Sequence, residues 1–277
     1  MEMSAIFPTS SGSPSFEDEG EPVYIQRNDH VATLVLNRPA KLNAISAYMW
    51  KRLHLAISAL SKEDSLRCIL VKSSSAKAFS PGCDIHEFEE LRSNKEQGRQ
   101  YGRLMHETLA AFQNCPIPLV AEIDGICVGA GLEIASTCDF RICSEKSRFG
   151  APIKNLGLVM AYPELEPLLQ LAGKDVVLEM LLEGRIFNAA EAYEKNLVTC
   201  VVPTERLSVK VNDTISGIVT GAPLVARWHK KFVKRLITPS AVTPAEYDEC
   251  FDCFDTEDFR SGCQAFLNRT PPRFRGK

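Results

Sequence analysis

The chain has 277 residues, 45% of them hydrophobic, and a formal net charge of -3. This length supports one large domain, or a core domain with an appendage, and the charge excludes the global basic field on which nucleic-acid binding relies. The apolar runs are far shorter than the roughly 20 residues that cross a bilayer, and the N-terminal residues lack the basic start and apolar run of a signal peptide. We therefore expect a cytoplasmic protein with neither a nucleic-acid nor a membrane partner.

The 10 cysteines lie mostly inside apolar segments, where cysteine behaves as a small hydrophobic residue. One Cys-x-x-Cys pair occurs, Cys250 and Cys253, but a second ligand pair at the usual zinc spacing is missing. We expect neither a disulfide framework nor a metal site.

Three regions follow one another along the chain. Residues 1–20 are rich in serine, proline and acidic residues, which predicts a disordered tail. In residues 21–203, β-rich runs alternate with helical patterns, which indicates an α/β core of parallel βαβ units. Residues 204–277 are predicted to be helical and to pack against the core or against another subunit.

Individual elements of the core have clear signals. The runs at residues 23–26 and 31–36 flank Asn28-Asp29-His30, a hairpin signal. Ser46 can cap a helix whose apolar positions recur at helical spacing. Further strands are expected at residues 68–71, 119–123, 140–143, 148–149 and 197–202, and further helices at 98–112, 163–171, 174–182, 189–195, 204–219, 222–236 and 244–267.

The stretch at residues 125–139, GICVGAGLEIASTCD, follows an apolar strand and opens a helix that carries one acidic residue, Glu133. A helix start leaves about four backbone N–H groups without intrahelical partners, so it can hold an anion. Glu133 lies three residues past Ala130 and projects from the face above that first turn. The alternative is a buried helix whose glycines permit tight packing, with Glu133 facing water.

A second small-residue turn, Ser-Pro-Gly-Cys-Asp at residues 80–84, also follows a β run and precedes a helix. Two inward-pointing N–H groups from two such turns would form an oxyanion hole, the device used where a thioester carbonyl takes on negative charge. Together with LNRPAKLNAI at residues 36–45, this order of motifs resembles the enoyl-CoA hydratase/isomerase, or crotonase, superfamily over about residues 22–275. The resemblance implies a spiral of ββα units with a helical C-terminal trimerisation region, a homotrimer or dimer of trimers, and an acyl-CoA thioester substrate. It implies no cofactor beyond the coenzyme A of the substrate.

The resemblance also implies residue roles. Cys83 and Ala130 would give the two backbone donors, and Glu133 would hold and deprotonate water or move a proton to and from the substrate. An alternative for Cys83 is a nucleophilic thiolate near a helix start. Coenzyme A would lie along Lys41, Ala44, Phe79, Gly82, Asp84, Ile85 and Gly129, with Lys230 or Lys231 reaching a phosphate. Asp84 is more simply interpreted as a helix cap.

One departure from the family pattern leaves the reaction open. Ile153 occupies the position of the second catalytic glutamate, which is the group expected to protonate the α-carbon during hydration. Glu164, Glu166 or Tyr162 could replace it, or Glu133 could act alone in a one-base double-bond isomerisation. The chain could also be a non-catalytic acyl-CoA-binding homologue, or it could catalyse a different enolate reaction, such as decarboxylation or thioester hydrolysis.

Overall fold

The structure of the chain is a computed structural model that describes residues 16, 18–237 and 240–277. Most of the disordered tail predicted for residues 1–20 lies outside the described residues. Within the described part of the chain, no helix is both long enough and apolar enough to cross a bilayer.

Two sheets organise the strands. The larger sheet has the order β1-β2-β3-β5-β7-β10, and the smaller one has the order β4-β6-β8-β9. The strands are β1 (Val23–Asn28), β2 (Val31–Leu36), β3 (Cys68–Ser73), β4 (Ala78–Ser80), β5 (Leu119–Ile123), β6 (Ile126–Val128), β7 (Phe140–Ser144), β8 (Arg148–Gly150), β9 (Ile186–Asn188) and β10 (Cys200–Val202).

Ten α-helices connect and cover these strands within the described residues. They are α1 (Ala47–Leu60), α2 (Phe88–Leu91), α3 (Lys95–Gln113), α4 (Ala130–Ser136), α5 (Tyr162–Leu178), α6 (Ala189–Glu194), α7 (Leu207–Val219), α8 (Pro223–Ile237), α9 (Pro244–Asp248) and α10 (Glu257–Leu267). Short 3-10 turns occupy Pro39–Lys41, Ile85–Glu87, Ile153–Leu156, Thr204–Arg206 and Glu249–Asp255, and a π-helical turn occupies Glu179–Glu183.

The predicted parallel α/β architecture is confirmed. The β1–β2 hairpin of the larger sheet is antiparallel, and β2, β3, β5, β7 and β10 run parallel. Asp29 supplies the positive φ of 48° that the hairpin turn needs. Ser46 caps α1 as predicted, because its side chain accepts a hydrogen bond from the amide of Met49.

Both faces of the larger sheet are buried. Successive residues of β3 alternate between two cores, since Ile69 and Val71 belong to the main core and Cys68 and Leu70 to a smaller one. The main core lies under α1 and α3, and the smaller one lies under α7, which packs on β3, β5 and β7. The sheet is therefore a central layer between helices, as a parallel sheet requires.

Two helical predictions differ from the structure. The helix predicted over residues 244–267 is broken, because Thr256 has an extended backbone and caps α10 anew. The helix predicted from residue 174 ends in a π-helical turn that closes on Gly184, whose φ is 73°. By contrast, the break predicted between residues 171 and 174 is confirmed, since Gly173 has φ 76° and interrupts α5.

Candidate active site

The LNRPAKLNAI segment folds around the buried side chain of Asn43. The Asn43 amide donates to Ser73 Oγ and to the carbonyl of Ala78, and its Oδ1 accepts from the amide of Arg38 at 2.7 Å. Asn43 has a φ of 63°, which asparagine tolerates better than most residues. These bonds tie the segment after β2 to the start of β4, so the segment and the Ser80–Asp84 turn form one rigid unit.

Asp84 caps the Ile85–Glu87 turn, as predicted, by accepting a hydrogen bond from the amide of His86. Arg38 Nη1 lies 2.6 Å from its Oδ2 and also donates to the carbonyl of Ala44. Burial alone would raise the pKa of Asp84, but the bonds from Arg38 and His86 hold that pKa at about 2. Arg38, which the sequence analysis did not single out, therefore fixes both predicted coenzyme A residues Ala44 and Asp84 in place.

The two glycine-rich turns meet because β4 pairs with β6, a three-residue strand that the sequence analysis missed. A Cβ built on Gly82 would lie 3.6 Å from the amide nitrogen of Ala130, and one built on Gly129 would lie 3.5 Å from the Cα of Gly82. Both glycines have positive φ, 110° and 51°. The turns approach this closely because neither residue carries a side chain.

Two backbone amides at this junction have no hydrogen-bond partner within the described part of the chain. Among the described residues, the amides of Cys83 and Ala130 donate no hydrogen bond, whereas the neighbouring amides of Asp84 and Gly129 are paired with Ile45 and Gly150. The structure therefore brings the two predicted donor positions together at adjoining turns. Such amides can stabilise a developing negative charge.

Glu133 lies in the first turn of α4 with only 5% of its surface exposed. Its Oε2 atom is buried and has no hydrogen-bond partner among the described residues. Burial, followed by the charge of Glu164, raises the pKa of Glu133 to about 8, and Arg92 acts in the opposite direction. The alternative in which Glu133 faces water is wrong, because the carboxyl group is enclosed, and its raised pKa favours the protonated form.

The surroundings of the Cys83 thiol disfavour its thiolate form. Burial and the Glu133 carboxylate raise the pKa of Cys83 to about 12, although Arg92, Trp50 and Tyr101 favour the ionised form. The guanidinium of Arg92 itself stacks on the rings of Phe88 and Tyr101, with its carbon 4.4 Å and 4.9 Å from their centroids. This environment argues against the nucleophilic alternative and leaves the backbone amide as the useful group of Cys83.

Ile153 packs against the main core and adds no polar group to the site. Of its three predicted substitutes, Tyr162 and Glu166 are exposed, whereas Glu164 is only 9% exposed. Glu164 Oε1 lies 2.7 Å from Nε2 of His106, a residue of α3. Of the three substitutes, Glu164 is thus the one that lies near Glu133. Its partner His106 was not predicted as a site residue, because the spacing of the histidines in the sequence gives no signal for one.

The remaining residues predicted to bind coenzyme A differ in accessibility. Lys41 and Ile85 are exposed, whereas the Phe79 side chain is fully buried, so Phe79 offers only its backbone. Lys230 is paired with Asp139 at 2.7 Å and Lys231 with Glu249. Both lysines therefore already have carboxylate partners within the chain.

Two further features lie away from Glu133. A cleft of about 950 Å³ separates α8 from the C-terminal end of α4 and from α5, and none of Cys83, Ala130 and Glu133 lines it. The thiols of Cys250 and Cys253 donate to backbone carbonyls. Within residues 16, 18–237 and 240–277, no three His, Cys, Asp or Glu side chains form a group that could hold a metal ion.

The paired sheets and the short helix that begins between two turns define a crotonase-type α/β protein. A solved structure from Magnetospirillum magneticum, titled an enoyl-CoA hydratase/carnithine racemase, superposes with a TM-score of 0.91 at 41% identity, covering 93% of this chain and 96% of the other. The chain belongs to the enoyl-CoA hydratase/isomerase family, whose model matches residues 26–277.

Curated relatives are similar over nearly the whole chain. The short-chain-enoyl-CoA hydratase of Clostridium acetobutylicum is 28% identical over 249 residues, which cover 89% of this chain and 95% of that protein. The crotonyl-CoA hydratase of Syntrophomonas wolfei is 26% identical over 259 residues, which cover 93% of this chain and 99% of that protein.

Proposed function

We propose that this protein is an enzyme that acts on enoyl-CoA thioesters through a thioester enolate, with Glu133 as the group that moves the proton. The observation that carries the proposal is a buried Glu133 with a raised pKa, beside two adjoining turns whose Cys83 and Ala130 amides donate no hydrogen bond within the described part of the chain. Hydration and double-bond isomerisation of the enoyl group are the reactions that this arrangement supports best.

The chemistry follows from the charge that the reaction creates. When the thioester becomes an enolate, its oxygen gains negative charge, and the amides of Cys83 and Ala130 would donate to it. A donor of this kind is worth about a hundredfold to a thousandfold in rate. Because the pKa of Glu133 is raised, its carboxyl group can deliver a proton to the α-carbon at neutral pH and can take it back in the reverse direction.

Coenzyme A would lie along the segment between Lys41 and Ala44 and along the turn that ends at Ile85. Lys41 and Ile85 are exposed there, and Gly82 adjoins Gly129 at the start of α4, the helix that carries Glu133. Arg38 and Asp84 would act indirectly, by holding the two segments together. No further cofactor is part of the proposal.

The test is an assay of purified protein with a series of 2-enoyl-CoA and 3-enoyl-CoA substrates, alongside Glu133→Gln. We expect turnover of at least one series and a loss of about a hundredfold to ten-thousandfold in the variant, because it can no longer donate or accept the proton. No turnover by the wild-type protein would contradict the proposal. Tight acyl-CoA binding without turnover, measured by calorimetry, would instead support the non-catalytic alternative, and release of free coenzyme A or CO₂ would support thioester hydrolysis or decarboxylation.

A further inference from the structure

The contact between His106 and Glu164 joins two helices beside Glu133. His106 lies on α3 and Glu164 in the first turn of α5, and α3, α4 and α5 all pack against one another. The Nε2–Oε1 distance is 2.7 Å, although the two residues are 58 positions apart. The charge of Glu164 is close enough to Glu133 to act on its ionisation. Two carboxyl groups and an imidazole therefore share one region of the site.

Helix capping accounts for only one of the two carboxylate oxygens of Glu164. Its Oε2 accepts a hydrogen bond from the amide of Ala161 at 2.9 Å, which is the ordinary role of an acidic residue at a helix start. Its Oε1 faces His106 instead, and the residue is 9% exposed. Glu166, two positions further along, is exposed and contacts Gln170. A cap alone requires neither the burial of Glu164 nor its imidazole partner.

We propose that Glu164, positioned by His106, is the second acid–base group of this site and activates the water that adds to the enoyl double bond. This inference rests on the proposed function. It replaces the one-base reaction with a two-group hydration in which the second carboxylate comes from α5 instead of position 153. The roles are exchanged relative to the family pattern, since Glu133 protonates the α-carbon and Glu164 activates the water. His106 is a positioning residue, because it acts through Glu164.

The hydration adds one water to the substrate and regenerates both carboxyl groups. The Glu164 carboxylate takes a proton from water as the oxygen bonds to the β-carbon, and the π electrons move to form the thioester enolate held at the Cys83 and Ala130 amides. Protonated Glu133 then gives its proton to the α-carbon, which completes the addition. The cycle closes when the proton on Glu164 passes to the Glu133 carboxylate. No oxidant, reductant or further reactant is needed.

The groups that face this pair come from each packed element. His106 approaches Glu164 from α3, and Glu133 lies on α4. Arg92, at the end of α2, lowers the pKa of both Glu133 and the Cys83 thiol. Glu133 is enclosed, its pKa is raised and its Oε2 has no partner among the described residues, whereas Glu164 accepts a hydrogen bond from the amide of Ala161 and its Oε1 lies 2.7 Å from Nε2 of His106. Such a difference in environment between two carboxyl groups is what assigns one as acid and the other as base.

The test compares Glu164→Gln with Glu133→Gln and with the matched control Glu166→Gln in the same helical turn. Two reactions are measured: hydration of a 2-enoyl-CoA, and exchange of the α-proton of a saturated acyl-CoA in D₂O, which needs no water activation. We expect Glu164→Gln to lose about a hundredfold to ten-thousandfold in hydration while it keeps α-proton exchange. Glu133→Gln should lose both reactions, and Glu166→Gln should lose neither.

Each outcome decides a separate question. If Glu164→Gln hydrates at the wild-type rate while Glu133→Gln is inactive, this inference is overturned and the proposed function stands. If Glu133→Gln also keeps wild-type activity, the proposed function fails. Should Glu164→Gln fail to fold, His106→Gln keeps the Glu164 cap intact, and it should lower the hydration rate while it keeps α-proton exchange. A wild-type hydration rate in a folded His106→Gln protein would overturn the role of the pair.

Discussion

Neighbouring charged groups shift the pKa of Glu133 in opposite directions. Enclosure of its carboxyl group and the charge of Glu164 raise its pKa, whereas the Arg92 guanidinium lowers it. Arg92 is held in place by stacking on Phe88 and Tyr101 and forms no ion pair within the described part of the chain. A single arginine can therefore tune the acid of the site without touching the backbone donors.

The first prediction is that Arg92→Met moves the alkaline limb of hydration to higher pH. Hydration as proposed needs protonated Glu133, so the rate should fall as the pH rises through the raised pKa of that group. Removal of the positive charge raises the pKa of Glu133 further, which extends the active range upward. Methionine keeps an apolar contact with the two rings. The measurement is kcat/KM for a 2-enoyl-CoA across neutral and alkaline pH.

Arg103→Met is the matched control, because Arg103 lies on the exposed side of α3. Its profile should coincide with that of the wild-type protein. A limb that stays in place or moves to lower pH in Arg92→Met would show that the group titrating in the assay is not Glu133.

At the scale of elements, the position of α4 depends on its contact with β4. A Cβ built on Gly131 would lie 2.5 Å from the carbonyl oxygen of Ser80 and 2.9 Å from its Cβ, closer than van der Waals contact allows. Ser80 ends β4 and comes just before the turn of Gly82 and Cys83. Any side chain at position 131 therefore separates the two turns whose amides face the site.

We expect Gly131→Ala to destabilise the protein by about 1 to 3 kcal/mol and to lower activity beyond what the loss of folded protein explains. The free energy of unfolding in urea and kcat on the folded fraction measure the two effects. Gly98→Ala in α3 is the control, since a Cβ there meets nothing within 4 Å. It should be neutral or should stabilise by up to about 1 kcal/mol. Equal behaviour of the two variants would refute the close-contact argument.

Local signals in the sequence predicted many of these elements. Ser46 caps α1 as expected, and Val31–Leu36 and Leu119–Ile123 are strands with the predicted bounds. These features depend on residues at most a few positions apart. The resemblance to the family then predicted that the turns of Cys83 and Ala130 would meet.

The rest depends on contacts that sequence spacing does not encode. The strand Ile126–Val128 is three residues long and follows the tight turn at Gly125, so it has no periodic signal. Arg38 meets Asp84 across 46 positions, and His106 meets Glu164 across 58. The burial that raises the pKa of Glu133 likewise arises from helices packed in three dimensions. Only the folded structure shows that Glu164 is buried near Glu133, whereas Glu166 and Tyr162 are exposed.

At the scale of the whole molecule, the last segment of the chain is tied to the core. Arg67, at the entry to β3, donates to the carbonyls of Val219 and Phe274 at 2.8 Å and 2.5 Å. Buried Asp258 accepts hydrogen bonds from the amides of Arg275 and Gly276. The helical region after β10 therefore has fixed attachments to the sheet, and its outer surface has a defined orientation.

The surface of the chain carries exposed apolar side chains at two separate places, one in this helical region and one before it. Phe266 and Leu267, at the end of α10, are 84% and 80% exposed, and Val159 and Tyr162, before and at the start of α5, are 88% and 89% exposed. Large apolar side chains this exposed mark interaction surfaces more often than free surface when they cluster. Two different patches on one chain suit a head-to-tail contact, which closes into a ring when the rotation permits.

The final prediction is that the protein assembles as a homotrimer or a dimer of trimers. Light scattering after size-exclusion chromatography should give three or six times the 30.7 kDa of one chain. Phe266→Glu with Leu267→Glu should shift the mass toward one chain, because two charges cannot be buried unpaired in an apolar contact. Val209→Glu, at a less exposed apolar position on α7, should leave the mass unchanged. A wild-type protein that elutes as a single chain across micromolar concentrations would contradict the assembly, and an unchanged mass in the double variant would exclude the end of α10 from the contact.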